Sequence, residues 1–382
     1  MFRPRVPLAP RVAPLLPALL IAAGSPASAA PSRLSRDAPK KMNTFSPRFS
    51  FCASRVSYEF VVPAKDHKGV TICAAGGAGC KDVVPDAGPS AAGFDDEAPP
   101  PVRELAWHPD PKRAYVYGST GGKSTINIYM EGEGCLTCEK AFGFGNKIHP
   151  TWSPDGRWLA FAVQDPGTEH GEIYLLNVYE LEKGPKAVTK HEDDTSYQPR
   201  FSPDGKKLLF SRFNPERSDN DLYILDDFQD PKSLRKLTKL PGGEMNASWS
   251  PDGSKVAFFY VWLKKGKAAT DLYVTASDGS GQPTLLASDV VKPDRSDPLW
   301  TKDGARLIFV KDDEKASNPV SWLSVADPKS KGIIDTGTIQ NDDVASSFTQ
   351  DGKIRLLWTA QGTKTDKEKT WRKVYGDEVS LP

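Results

Sequence analysis

The tetrapeptide Ser153-Pro154-Asp155-Gly156 returns twice in this chain, as Ser202-Pro203-Asp204-Gly205 and as Ser250-Pro251-Asp252-Gly253, each time after an aromatic residue. Degenerate copies are Trp107-His108-Pro109-Asp110 upstream, and Thr301-Lys302-Asp303-Gly304 and Thr349-Gln350-Asp351-Gly352 downstream. From Gly156 onwards the turn glycines are 49, 48, 51 and 48 residues apart, close to the ~40 to 50 residues of a propeller blade. The chain is therefore predicted to be an array of repeats.

Each repeat is predicted to contain four short strands. Proline presets the turn, aspartate tolerates its third position and glycine accepts positive φ at the fourth, so the tetrapeptide closes a hairpin between two strands. The turn residues assigned this structural role are Asp155, Gly156, Asp204, Gly205, Asp252, Gly253, Asp303, Gly304, Asp351 and Gly352. Apolar runs such as Trp158 to Ala162 follow the turns and are typical of strands buried on both faces.

Four-stranded repeats of this kind predict an all-β fold, a β-propeller with antiparallel blades. Six blades over residues 102–382 are expected, after an N-terminal extension and Pro/Gly-rich linker at residues 30–101. In the alternative with seven blades, residues 43 to 80 form the extra one. The last repeat has no obvious fourth strand, and Arg55 to Val62 is predicted to supply it and close the ring.

The repeated turns, with their preceding aromatic and following basic residue, resemble those of the TolB-like propeller family over residues 102 to 376. The resemblance implies periplasmic or secreted proteins that mostly bind other macromolecules. TolB itself carries a separate α/β domain before its propeller, whereas residues 31 to 101 here are short and rich in Ala, Gly and Pro. TolB's own partners are therefore not transferred to this chain.

The N-terminus predicts export. Three arginines precede the apolar stretch Val12 to Ala23, and small residues end at Ala29, so residues 1–29 are expected to be a signal peptide cleaved after Ala29. Elsewhere no stretch approaches the ~18 apolar residues of a membrane span. The chain has 50 basic and 49 acidic side chains, interspersed, which argues against a nucleic-acid partner. A monomer is expected.

Five cysteines, Cys52, Cys73, Cys80, Cys135 and Cys138, lie in the first 138 residues. Export permits disulfides, and a bridge between Cys73 and Cys80 across a Gly/Ala loop is favoured over free thiols. Cys135 and Cys138 have the spacing of a redox or metal pair, but Leu136-Thr137 between them marks a fourth strand. A disulfide within this pair, or from one of them to Cys52, is favoured over catalysis.

Catalytic motifs are absent from the sequence. There is no nucleophile elbow, no phosphate-binding glycine loop and no His-Glu-x-x-His pattern. The prediction is accordingly a protein that catalyses nothing.

One set of polar residues is placed by the repeat itself, three positions before each first-strand aromatic. Its members are Glu104, His149, Gln198, Asn246 and Asp297, with Ala345 as the apolar sixth. First strands line a propeller's channel, so these side chains are predicted to form a ring there, hydrating the channel or holding calcium or manganese. No resident cofactor is predicted. The similar propeller of oligogalacturonate lyase holds a metal through His and Gln in its channel, which keeps a metal-dependent, glycan-active lyase as the alternative.

Loops between strands offer the other candidate surface. Residues 214 to 221, 264 to 270 and 314 to 319 are predicted to rise from the disc, where recognition usually occurs. Trp262, Trp322 and Trp371 are candidate anchors, with packing between blades as the other interpretation. The predicted function is an exported, non-catalytic propeller that binds a protein or glycan partner in the cell envelope.

Overall fold

The strands belong to one compact unit, Pro31–Pro382, of a computed structural model. The described residues are 32–33, 43–50, 54–62, 67–75, 78, 81–83, 102–110, 114–119, 125–130, 134–137, 146–164, 170–191, 193–292, 296–313, 317–348, 353–363 and 372–381. The predicted signal peptide, most of the predicted linker, Asp351 and Gly352 lie outside them. Among the described residues, no helix has the length and hydropathy of a membrane span.

The strands form four-stranded antiparallel groups in chain order, called units 1 to 7. Unit 1 contains β2 Asn43–Phe49, β3 Arg55–Val62, β4 His67–Ala74 and β5 Lys81–Val83. Unit 2 contains β6 Val102–Trp107, β7 Ala114–Ser119, β8 Thr125–Met130 and β9 Gly134–Cys135. Unit 3 contains β10 Asn146–Trp152, β11 Trp158–Gln164, β12 Gly171–Asn177 and β13 Lys186–Ala187. Unit 4 contains β14 Thr195–Phe201, β15 Leu208–Asn214, β16 Asp219–Leu225 and β17 Leu234–Lys236. Unit 5 contains β18 Gly243–Trp249, β19 Lys255–Lys264, β20 Lys267–Ala276 and β21 Thr284–Ala287. Unit 6 contains β22 Leu299–Trp300, β23 Arg306–Val310, β24 Val320–Ser324 and β25 Lys331–Ile333. Unit 7 contains β26 Thr338–Phe348, β27 Ile354–Thr363 and β28 Lys373–Val379, together with β1 Ser32–Arg33. Two 3₁₀ turns, Leu181–Lys183 and Pro231–Ser233, complete the described elements.

The described strands thus form seven units, and unit 1 lies at the residues that the seven-blade alternative assigns to its extra blade. The prediction that Arg55 to Val62 closes the ring was wrong. Arg55–Val62 pairs with β2 and β4 inside unit 1, because its residues from Val56 to Phe60 are all buried and need neighbours on both faces. It is β1 that pairs with β28 at the outer edge of unit 7. Unit 1 also contacts unit 7 directly, where the Thr44 amide donates to the Arg372 carbonyl at 3.1 Å.

The repeated turns close their hairpins through a shared hydrogen-bond pattern. In unit 4 the Ser202 hydroxyl donates to Asp204 at 2.6 Å and accepts from the Lys207 amide at 2.9 Å, while Asp204 accepts from the Lys206 amide at 3.1 Å. The same three bonds recur around Asp155, Asp252 and Asp303. The turn glycines have φ between 67° and 72°. The tetrapeptide therefore stabilises its own bend, as its residue types require.

Apolar clusters fill the junctions between neighbouring units. Phe210 packs with Ala162 and Ile173 between units 3 and 4, and Trp358 packs with Ile308 between units 6 and 7. Third and fourth strands are joined by the threonines that mark each repeat, because the hydroxyls of Thr137, Thr189 and Thr238 accept third-strand amide bonds of 2.8 to 2.9 Å. Trp322 is 8% exposed, so it packs between strands, whereas Trp371 lies outside the described residues.

The two ends of the strands define two faces. The Ser-Pro-Asp-Gly hairpins mark the turn face, where the proline of one turn lies near the glycine of the next, as Pro154 does for Gly205. The hairpins between second and third strands, such as residues 214–219 and 264–267, mark the loop face.

Cys73 is disulfide-bonded. Cys52, Cys80 and Cys138 lie outside the described residues, so the predicted bridge to Cys80 stays a prediction, as do the pairings of Cys135.

Candidate functional site

The predicted polar ring lies at a repeated distortion of the first strands. Glu104, His149, Gln198 and Asn246 have φ between 50° and 60°, and the pairing of each strand with its neighbour shifts at that residue. Ser46 of unit 1, with φ 49°, is a further member that the turn-based prediction missed. Residues other than glycine adopt such angles only where surrounding contacts hold them.

Those contacts are hydrogen bonds to the preceding unit. The Ser46 amide donates to Asp343 at 3.1 Å, and the Glu104 amide donates to Glu59 at 3.2 Å. The His149 amide donates to the Glu104 carboxylate.

The pattern continues between units 4, 5 and 6. The Asn246 amide donates to Gln198 Oε1 at 3.0 Å, Gln198 Nε2 donates to Asn246 Oδ1 at 2.9 Å, and Asn246 Nδ2 donates to the Ser296 carbonyl at 3.0 Å. The amides of Ser46, Glu104, His149 and Asn246 thus each reach a side chain of the preceding unit, so the ring joins blade to blade.

Arginines occupy the same region of the channel. Arg200 forms a bidentate ion pair with Asp297, with Nε at 2.5 Å and Nη2 at 3.1 Å from the two carboxylate oxygens. Loss of hydration lowers the pKa of Arg48, while Asp297, Glu59 and Asp343 oppose that shift. Charges from units 1, 4, 6 and 7 can interact in this way only near the centre of the ring.

The ring side chains were predicted either to hydrate the channel or to hold a cation, and their bonding bears on the second interpretation. Among the described residues, no three His, Cys, Asp or Glu side chains lie together as metal ligands would. Asp297 faces a guanidinium, and Glu104, Gln198 and Asn246 bind neighbouring units. This donor set does not fit a resident cation, and no chemical step is derived through one.

A cavity of about 300 Å³ opens at the loop face between units 3 and 4. Its wall includes Ile148, Phe213 and the rings of His149 and Tyr197, whose centroids are 6.1 Å apart. Thr195 lines the cavity and pairs with Phe213 at the strand ends farthest from the turn at residues 202–205. Of the predicted ring residues, His149 thus also contributes to a cavity wall.

Several polar side chains also line this mostly apolar cavity. The Tyr197 hydroxyl donates to Asn220 Oδ1 at 2.6 Å, and burial raises the pKa of Tyr197, so the phenol keeps its proton. Gln164 also lines the cavity. Thr195 is 6% exposed, and its buried hydroxyl makes no hydrogen bond to a described residue. The spacing of the turns gives no signal for these positions.

A charged cluster lies at the same junction but outside the cavity wall. Glu172 accepts bonds from the Thr189 hydroxyl and the His191 amide, and His170 Nε2 lies 3.7 Å from it. Burial raises the pKa of Glu172, while burial and nearby Arg212 lower the pKa of His191 to about 4. His191 is therefore neutral at neutral pH. Among the described lining residues of the cavity, none is Asp, Glu, Lys or Arg.

The loop face also carries a projecting hairpin in unit 5. Strands β19 and β20 have ten residues each, whereas β15 and β16 of unit 4 have seven. Trp262 Nε1 donates to Asp271 at 2.9 Å, which anchors the hairpin. Beyond it Leu263 is 74% exposed, followed by the basic tip Lys264, Lys265 and Lys267.

Comparison with known families agrees with this architecture. The model of the TolB beta propeller domain matches residues 148–368, more than half of the chain. This chain belongs to the TolB β-propeller family. The resemblance and the all-β propeller fold predicted from the turns are thereby confirmed. No curated protein matches the sequence.

Solved structures similar to this TolB-like propeller include enzymes. An oligogalacturonate lyase in complex with manganese matches at TM-score 0.56 and 14% identity, over 91% of this chain and 92% of that one. A prolyl endopeptidase matches at TM-score 0.52 and 14% identity, over 85% of this chain and 47% of that one. TolB from Acinetobacter baumannii matches at TM-score 0.47 and 17% identity, over 85% of this chain and 64% of that one. The chain thus spans less than two thirds of the last two. Likeness at such identities concerns fold alone.

Proposed function

We propose that this TolB-like propeller is an exported, monomeric binding module that uses its loop face to hold a protein or glycan partner in the cell envelope. The leader-like N-terminus motivates export, and the family motivates binding rather than catalysis.

The observation that carries the proposal is the difference between the channel and the loop face. Polar groups of the channel ring are hydrogen-bonded between units. The loop face instead presents a cavity and, beside it in chain order, a hairpin with an exposed apolar residue. Loops on a rigid scaffold are the usual place for recognition, and Leu263 is the kind of exposed side chain that a partner would cover.

The test is site-specific photo-crosslinking in intact cells of the source organism. A photoreactive residue replaces Leu263 on the loop face, and in the matched control it replaces Tyr179, which is 65% exposed and follows a third strand at the turn face. A discrete adduct from position 263 that is missing from position 179 supports the proposal. Adducts of equal yield and identity from both positions, or none from 263, contradict it.

The lyase alternative has one supporting observation, the fold-level likeness to a manganese-bound lyase. Purified protein incubated with polygalacturonate and Mn²⁺ would then form unsaturated uronates, which absorb in the ultraviolet. Loss of that signal in Asp297→Asn and His149→Ala would assign the reaction to the channel. Because the described ring does not fit a metal, no product is expected.

A further inference from the structure

The size of the loop-face cavity limits its ligand. Small-molecule sites typically span ~300 to 1,000 Å³, and this cavity, at about 300 Å³, lies at the lower end. It therefore suits one ring with its substituents.

Its aromatic walls favour a ring with exposed C–H groups. Three of the residues that line the cavity, Tyr197, Phe213 and His149, have aromatic side chains. Aromatic faces carry negative charge density, so they attract the weakly positive C–H groups on the face of a pyranose. A flat aromatic side chain from a protein would also contact these walls, and the polar lining distinguishes the two ligands.

The polar lining needs partners that an apolar ring lacks. The Thr195 hydroxyl is buried and makes no hydrogen bond to a described residue, and the amides of Gln164 and Asn220 lie along the same wall. Covering a polar group without bonding it costs ~1 to 3 kcal/mol. Asn220 Oδ1 already accepts from Tyr197, and ring hydroxyls, which both donate and accept, can bond the Thr195 hydroxyl and the Gln164 amide together.

Charge decides between neutral and acidic sugars. A carboxylate removed from water needs a cation or several donors, and the described lining has no Lys or Arg. We infer that this cavity binds a single ring of a neutral saccharide. The inference rests on the proposed binding function and specifies its ligand class.

Titration calorimetry on the whole protein tests the inference. The probes are methyl glycosides of glucose, galactose, mannose and N-acetylglucosamine, with methyl galacturonide as the acidic counterpart and N-acetyltryptophanamide as the apolar ring. At least one neutral glycoside is expected to bind saturably and more tightly than the last two.

Paired variants locate the site. Thr195→Val removes the hydroxyl and keeps the shape, and is expected to weaken the best glycoside about tenfold, the value of one hydrogen bond. Thr270→Val is the matched control, because Thr270 is 7% exposed and does not line the cavity. Its affinity is expected to equal that of the unmodified protein. Thermal unfolding checks that both variants are folded.

Several results would overturn the inference, and they separate it from the proposed function. If no neutral glycoside binds while the position-263 adduct persists, the saccharide inference fails and the binding function stands. If N-acetyltryptophanamide binds more tightly than every neutral glycoside, the cavity takes an aromatic side chain of a protein. If methyl galacturonide binds more tightly, the ligand is not neutral. Equal losses of glycoside affinity in Thr195→Val and Thr270→Val would place the ligand outside the cavity. Loss of the adduct as well would reject both proposals.

Discussion

The turn face and the loop face are built from the same strands, yet they treat their polar groups differently. At the turn face one bonding pattern repeats, so Ser202 and Asp204 have the same partners as their counterparts in other units. At the loop face hairpin lengths differ, and the buried Thr195 hydroxyl has no bond to a described residue. Regular bonding indicates a structural role, whereas irregular polar groups beside a cavity indicate recognition.

The largest expected effect concerns close packing at the turn face. In Gly156→Ala the new Cβ would lie 2.2 Å from His108 Nε2, whereas in Gly205→Ala its nearest neighbour is Pro154 at 3.4 Å. Positive φ, 67° and 70°, strains alanine in both. Gly156→Ala is expected to lower the free energy of unfolding by roughly 3 kcal/mol and Gly205→Ala by about 1. Denaturant titration measures both, and equal losses would contradict the close contact.

The channel ion pair gives the next effect. Arg200 and Asp297 are 22% and 17% exposed at their side chains, so solvent weakens their attraction only in part. Arg200→Ala is expected to cost about 2 kcal/mol of unfolding free energy, because Asp297 loses its bidentate partner and keeps only the charge of Arg48 nearby. In a double-mutant cycle, Asp297→Ala should cost much less when Arg200 is already absent. Additive losses would show that the pair does not join units 4 and 6.

At the loop-face end of β18, Glu244 is 0% exposed, and burial is the main cause that raises its pKa to about 8, with nearby Asp221 adding to it. The folded state then holds the proton more tightly than the unfolded state, whose carboxyl has a pKa near 4.5. Stability should therefore fall as pH rises from about 4.5 to about 8. Glu244→Gln should remove that fall and be more stable at pH 9, on the order of 2 kcal/mol.

Denaturant titrations at pH 5, 7 and 9 check this prediction. Gln retains a carbonyl oxygen for the bond that Glu244 accepts from the Leu240 amide at 2.9 Å. Curves for the two proteins that stay parallel across this range would mean that Glu244 does not titrate there.

The smallest effect compares two buried hydroxyls directly. Ser202→Ala removes bonds to Asp204 and the Lys207 amide, and should lower the unfolding free energy by about 1 to 2 kcal/mol. Thr195→Val removes a buried hydroxyl without a described partner, and should leave the unfolding free energy unchanged or raise it by about 1 kcal/mol. A loss from Thr195→Val as large as that from Ser202→Ala would contradict the contrast between the faces.

The repeated turn predicted much of the fold, because its chemistry is local. Its hydrogen bonds join residues at most five positions apart, so spacing alone locates the strands. Unit 1 was harder to recognise because it lacks the tetrapeptide. A second signal existed in Ser46-Pro47-Arg48-Phe49, which matches Gln198-Pro199-Arg200-Phe201 of unit 4.

The repeat placed Glu104, His149, Gln198 and Asn246 at equivalent positions, which share positive φ, but their bonding was not predicted. Glu59, which accepts the Glu104 amide, lies on a second strand, so counting back from first-strand aromatics could not find it. The cavity was also missed. Its residues come from the ends of several strands in two units, and only their alignment across the junction brings Gln164 near Asn220.

The pairing of β1 with β28 has a consequence for how the chain folds. Ser32 pairs with Gly376, so residues 344 positions apart in the sequence must meet. The entropy of closing so long a loop grows only as the logarithm of its length, and the cost to stability is modest. The rate suffers more, because contacts between distant residues slow folding. Ring closure should therefore be the last and slowest step of folding, after the individual blades have formed.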